Sequence, residues 1–393
     1  MVRIKSSVDK HIPDPVLEQI RADCAQVVHT QATESQSVSR RRFLSQATRS
    51  VIGTGFAFGS LYSAANNAFA QLGTSPDAAP GDALQDQGVP VIEATSEEAW
   101  DGDALNEQIV SEMMDRAMMK LTGLDSAKEA WKDFVLPGDI VGIKINPIGG
   151  KELSTHRIIV DKIIDGLYGA GVLRNQIIIW DRFESHLINA GYEINQSDQG
   201  VRCFASDSQG VGYDDEVFYE TEKDVAVRRE EGSIKSRYTK IVTQEATVII
   251  NVPVLKHHAI TGVSGCLKNL AFGSVDNTHR FHSKPLNCDP AISDIFDHPI
   301  IKDKVVLNIV DGLLAAFDGG PTFDPNGTWK YSGLLVGMDP VALDQVAFQT
   351  VEDKRKELKL ASNSRLAKYI RSAWRLGLGT NDLDEMDYQQ VKV

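Results

Sequence analysis

The densest chemistry in the chain lies between Pro253 and Asn269, where Lys256, His257, His258, Thr261, Ser264, Cys266, Lys268 and Asn269 crowd into one short stretch. His279, Arg280 and His282 follow, and then Cys288. Neutral imidazole is the commonest protein ligand for transition metals, and thiolate adds softness. His258, His279, His282 and Cys266 are therefore the candidate metal ligands, with His156 and Cys288 as further donors; nickel, iron, copper or zinc would suit such a set. His279 and His282 stand at a spacing that lets both face one way on a helical turn. A single histidine more often hydrogen-bonds a backbone carbonyl in a loop, but several gathered at expected strand exits favour a common site.

Three lysines support a second chemistry. Lys144, Lys256 and Lys268 lie beside glycine-rich loops, and a helix expected to begin near Val263 would offer its first amides to an anion. Carboxylate, phosphate and nucleotide are the ligand classes that fit. Apolar flanks around Lys144 and Lys256 point to burial, and burial lowers a lysine pKa until the side chain can act as a base. Lys144 and Lys268 are the catalytic candidates; Asn146, His156, Lys256 and Ser264 are the candidates for holding a cofactor. Asp181, Asp311 and Asp344 could orient histidines as hydrogen-bond acceptors. Asp311-Gly312 reads equally well as a turn, and Asp339 before Pro340 reads more simply as a helix N-cap.

The elements that must carry these groups follow from hydrophobic pattern. Asp139 to Asn146 and Gln176 to Trp180 are apolar runs that read as buried strands, separated by a glycine-rich loop and a helix from about Arg157 to Tyr168. This is a βαβ unit, which implies a parallel pairing. Ala246 to Asn251 and Lys304 to Val310 supply further buried strands, Leu334 to Val336 a short one, and Val391 to Val393 an edge. Pro253 halts regular pairing after Asn251. Asn106 to Leu121 has the stripe of an amphipathic helix, whose methionines read as core. Residues 214–232 form a charged surface excursion without a role. The fold class is α/β, a mostly parallel sheet with flanking helices and a ligand site at the carboxyl ends of the strands.

Composition bounds the rest. The chain has 393 residues, 42% of them apolar and 24% charged, so it is globular. A net charge of −13 argues against nucleic acid as a partner. Four cysteines without a C-x-x-C pair leave no ferredoxin-type iron–sulfur motif. Ser39-Arg40-Arg41-Arg42-Phe43-Leu44, a weakly apolar stretch and Ala68-Phe69-Ala70 together read as a twin-arginine signal over 1–70. That order predicts recognition by the twin-arginine translocase, a periplasmic or extracytoplasmic location, and no transmembrane anchor after cleavage. A flexible leader over 71–104 and one α/β domain over 105–393 complete the expected organisation.

Lys144-Ile145-Asn146, Ser154-Thr155-His156, the segment from Asn251 to His258, Ser264 to Asn269, Asp339 to Asp344 and Leu376 to Gly379 occur in an order that resembles the family catalogued as domain of unknown function 362. The resemblance runs from about 138 to 390, and it implies a fold without implying a reaction. His258 to Lys268 is also similar to the histidine, glycine-x-serine-glycine-glycine-x-lysine element of the nickel-pincer lactate racemases, with Cys266 where that element has its second glycine. This likeness implies a metal role for His258 and an anchoring role for Lys268. The resulting expectation is an exported protein with a metal or nucleotide-metal site, an oxidoreductase or isomerase acting on a small anionic substrate. The alternatives are a non-catalytic protein that binds an anion or cofactor, and a maturation partner of a periplasmic redox complex.

Overall fold

The computed structural model describes residues 88–221, 234–282 and 287–393. The expected signal segment lies outside the described residues. The folded unit spans Gly88–Val393. It begins earlier than the sequence suggests: Val89–Thr95 is a strand, β1, inside what reads as a leader. Val91, Ile92 and Ala94 on it are fully buried.

The first layer of helices forms as expected. Helix α1, Glu107–Thr122, is capped by the Asn106 side chain, which accepts from the Ile109 amide. It packs Met113, Met114 and Met118 into the core, so the methionine stripe is packing. Strand β2 is Val141–Ile145, helix α2 is Arg157–Gly169, strand β3 is Ile177–Asp181 and strand β4 is Arg202–Ala205. Ile143 and Ile145 join α1 and α2 in one apolar layer. Because strand side chains alternate, Gly142 and Lys144 look the other way.

The second half of the sheet departs from expectation in two places. Strand β5, Val248–Val252, is interrupted at Pro253, but the chain resumes as β6, Val254–His258, which pairs with Gly262–Val263 and with strand β7. Lys256, His257 and His258 are therefore on a strand and not in its exit loop. Strand β7 runs from Val305 to Ala316, so Asp311-Gly312 lies within it and is not a turn. Helix α3 is Gly265–Ala271, strand β8 Gly333–Gly337, helix α4 Pro340–Glu357, helix α5 Lys368–Arg375 and strand β9 Met386–Lys392. Asp339 caps α4 by accepting from the Val341 and Ala342 amides, as its place before Pro340 implies.

The main path of the large sheet has the order β9-β1-β8-β7-β5-β2-β3-β4. Pairings from β7 through β5, β2 and β3 to β4 are parallel, while β8 runs antiparallel to both neighbours. The result is a mostly parallel sheet with helices on both faces. Residues 213–220 and 235–239, within and beside the expected charged excursion, form an antiparallel pair apart from this sheet. Helices α3, α4 and α5 cover the face opposite α1 and α2, burying Leu267, Leu270, Val341, Leu343 and Ile370 against Ile249, Leu255 and Val310. None of the helices among the described residues is long and apolar enough to cross a membrane.

Candidate functional site

Lys144 comes off β2 on the α3 face, in a volume kept open by a glycine. A Cβ on Gly273 would lie 2.3 Å from Lys144 Cε. The ammonium donates to Asp181 Oδ1 at 2.6 Å, to the Ile145 carbonyl at 2.7 Å and to Asn269 Oδ1 at 3.3 Å. It also lies 5.4 Å from the centroid of the Trp180 ring. Burial pulls the Lys144 pKa below the usual lysine range, and the Asp181 carboxylate opposes it. Burial would raise the pKa of Asp181, yet the Lys144 ammonium outweighs this and holds the carboxyl below its usual range. With a counter-ion and two further acceptors engaged, Lys144 is a buried, ion-paired anchor.

From this anchor a row of asparagine amides crosses the sheet. Lys256 Nζ donates to Asn146 Oδ1 at 2.8 Å and to the Leu153 carbonyl at 3.4 Å. Asn146 Nδ2 donates to Asn269 Oδ1 at 3.0 Å, Asn269 Nδ2 to Asn251 Oδ1 at 2.8 Å, and Asn251 Nδ2 to Asn308 Oδ1 at 2.9 Å. Asn308 Nδ2 ends the row on the Met338 carbonyl at 3.1 Å. Every amide presents oxygen toward the lysines and passes its donor onward. The row stabilises buried ammonium groups with dipoles in place of carboxylates. Lys256 is nevertheless lowered to about 7, by burial first and then by the charge of Lys268. Lys256 and Asn146, both expected as cofactor contacts, are thus brought into contact with each other. Sequence reading passed over Asn251, Asn269 and Asn308 as functional groups. A polar residue inside an apolar strand run, as at Asn251 and Asn308, was the available signal.

The start of α3 is already occupied. Asp344, in α4, accepts from the Cys266 amide through Oδ1 and from the Leu267 amide through Oδ2, the latter at 3.2 Å. This close approach requires glycine at 265. Its φ is +65°, and a Cβ there would lie 2.5 Å from the Asp344 carboxyl carbon. The chain thus satisfies these amides with its own carboxylate, which corrects the expectation that they await a ligand. Burial pushes the Asp344 pKa up to about 7 against the pull of these amides. Ser264, expected as a cofactor contact, is buried and donates its amide to the Lys256 carbonyl at 3.0 Å. Cys266 is fully buried in the apolar layer, where burial and the adjacent Asp344 push its thiol far above the usual range. A thiol held this way is a poor source of thiolate, so Cys266 does not suit the metal role expected of it.

The histidines divide into two places. His156 stands apart, at the N-cap of α2: its amide donates to Asp311 Oδ2 at 2.7 Å and its Nδ1 lies 2.8 Å from the same oxygen. Burial lowers its pKa, but Asp311 overrides this and the net shift is upward. Asp311 therefore orients a histidine, as expected, while His156 is not brought to the others. The second place gathers His258, His279 and His282. Ring centroids of His258 and His282, and of His279 and His282, are each 6.2 Å apart. His258 Nδ1 accepts from the Ile260 amide at 3.2 Å and the Thr261 amide at 3.3 Å. In the neutral ring its proton must then sit on Nε2, which becomes a donor and offers no lone pair to a metal. His282 Nδ1 donates to the Thr278 carbonyl at 3.1 Å, which leaves Nε2 as an acceptor. Among the described residues, no group of three or more His, Cys, Asp or Glu side chains is placed to hold a metal ion.

Lys268 completes this second place. Its Nζ lies 5.7 Å from the centroid of the Phe272 ring, whose own centroid is 5.4 Å from that of His282. It has no hydrogen-bond partner or carboxylate among the described residues. Burial lowers its pKa to about 8, with Cys288 opposing and Arg182 assisting. The Arg182 guanidinium props the turn before the histidines, donating to Thr278 Oγ1 and the Asp276 carbonyl, each at 2.8 Å. His258 is pushed well below the usual histidine range and His282 down to about 4, in both cases by burial first and Lys268 next. Both rings are neutral at pH 7. Lys268 and His282 thus lie beside Phe272, with His258 next to His282, and the Lys268 ammonium has no counter-ion among the described residues.

Comparison with known proteins bears on this geometry. The family model described as "Domain of unknown function (DUF362)" matches residues 141–349, a span that contains Lys144, Asp181, Lys268, His282 and Asp344. No curated protein matches the chain. A crystal structure of a protein from Thermotoga maritima, solved by a structural genomics consortium, is similar at 11% identity and a TM-score of 0.38. The match covers 66% of this chain and 61% of that one.

Proposed function

Since the chain belongs to the family described as a domain of unknown function, DUF362, which assigns no reaction, we propose from its geometry that it binds a small anionic molecule beside Lys268. The ligand sits against His258 and His282, with Lys256 and Arg182 behind supplying positive potential. Lys268 carries this reading: Lys144 has Asp181 as a counter-ion, whereas Lys268 has neither a carboxylate nor a hydrogen-bond acceptor among the described residues. Lys268 is half-buried, so its ammonium is only partly hydrated, and an external anion can supply the counter-charge it lacks among the described residues. A lysine with a pKa near 8 also exchanges its proton readily at neutral pH, the property needed of an acid–base group in an isomerase. The sequence signal over 1–70 supports delivery by the twin-arginine translocase, which would place this site in an extracytoplasmic compartment.

Calorimetric titration of the full chain with small carboxylates and phosphates tests the proposal. At least one anion binds the native chain, and Lys268→Met weakens it tenfold or more while the folded state persists by circular dichroism. Equal affinity in Lys268→Met, or no anion bound by the native chain, refutes it.

A further inference from the structure

The two imidazoles beside Lys268 have opposite polarity, and that selects among anions. His258 is committed by two backbone amides to carry its proton on Nε2, so its free edge donates. His282 is committed by the Thr278 carbonyl to carry its proton on Nδ1, so its free edge accepts. Both commitments are made by main-chain groups, which a ligand does not easily displace. The rings lie close, at 6.2 Å between centroids and tilted by 50°. The aromatic face of Phe272 lies beside both His282 and Lys268.

A ligand in this place meets donors at Lys268 and His258 and an acceptor at His282. A carboxylate or sulfate offers only acceptor oxygens at neutral pH, so its lone pairs would oppose that of His282 Nε2. Protonating His282 would resolve the conflict, but burial and the neighbouring charge of Lys268 hold that ring neutral down to about pH 4. An anion that brings its own proton satisfies all three groups without this cost. We infer that the pocket recognises a protonated phosphate, its oxygens accepting from Lys268 and His258 while its hydroxyl donates to His282. Free hydrogen phosphate and the phosphate group of a monoester share this chemistry. The inference rests on the anion site proposed above and adds the identity of the group it reads.

The test is calorimetric titration of the full chain at pH 6 with inorganic phosphate, methyl phosphate, sulfate and acetate. At that pH inorganic phosphate and about half of the monoester carry a proton. At least one phosphate is expected to bind tenfold or more tightly than sulfate and acetate. Methyl phosphate binding as well as the free ion identifies a monoester ligand; inorganic phosphate binding alone identifies the free ion. His282→Leu, which removes the acceptor, should erase the preference over sulfate while leaving sulfate binding unweakened. Sulfate or acetate within threefold of both phosphates, or a preference that survives in His282→Leu, overturns the inference and leaves the anion site standing. Failure of all four anions to bind overturns this inference together with the anion site.

Discussion

Asp181→Asn tests the foundation of the site, because it removes the charge that pairs with Lys144, and with it only a longer contact to His186 at 3.9 Å. Asparagine has the shape of aspartate and keeps an acceptor at the Oδ1 position, 2.6 Å from Lys144 Nζ. The Lys144 side chain is 1% exposed and that of Asp181 11%, so the surviving ammonium has little access to solvent. Breaking a buried pair by removing one partner costs about 3–5 kcal/mol. For a folded unit of about 300 residues, with roughly 2.1 cal/mol/K of unfolding entropy per residue, this lowers Tm by about 5–8 °C. The pH dependence is more diagnostic than the size. In the native chain Asp181 is held below its usual range, so its stabilisation is present at neutral pH and fades only as pH falls through the carboxylate range. In Asp181→Asn, Lys144 loses its counter-ion and is driven toward the neutral amine, while the unfolded chain keeps that lysine protonated to about pH 10. The variant's stability therefore rises with pH by up to about 1.4 kcal/mol per unit between pH 7 and 9, relative to the native chain. Urea unfolding at several pH values reads both quantities. A loss below about 1 kcal/mol with no added slope would refute the view that Lys144 is a buried, ion-paired anchor.

Two further outcomes follow from other parts of the structure. Gly265→Ala places a methyl group against the Asp344 carboxylate at a left-handed φ, and should cost roughly 1–3 kcal/mol in urea unfolding; a neutral result would mean that Asp344 does not cap α3 as described. The protein's contribution to anion affinity should be level below pH 7 and decline as pH rises through about 8, where Lys268 loses its proton. Lys268→Arg, whose charge persists, should abolish the part of that decline due to the protein, and an identical decline in both chains would show that another group titrates.

Legibility from sequence followed the range of the interactions. The unit from Val141 to Asp181 is plain in the sequence because its strands are continuous apolar runs and its helix keeps a regular stripe. Strand β1 was hidden because Val89–Thr95 is short and borders a stretch rich in alanine, glycine and proline. Strand β6 was hidden by Pro253, which ends one set of pairings but allows another to begin beyond it. The lysines stood out through their apolar flanks, yet which of them is paired depends on contacts between distant positions. Lys144 finds Asp181 across two strands, and the amides of Cys266 and Leu267 find Asp344 from another helix. His258, His279 and His282 lie near one another while His156, expected as a further donor, stands apart, and spacing could not reveal the tautomers. Those are fixed by the backbone around Ile260, Thr261 and Thr278, and they decide whether a ring edge offers a proton or a lone pair.

The asparagine row from Asn146 to Asn308 runs in one direction only, each carbonyl facing the lysines and each amino group facing away. Such a row behaves as a queue in which no member can turn around alone. Reversing one amide would set oxygen against oxygen on one side and donor against donor on the other. An aspartate in any of these places would end the onward donation and bring a new negative charge toward Lys256 or Lys144. These four positions therefore act as one unit, and a substitution at one alters what is tolerable at the other three.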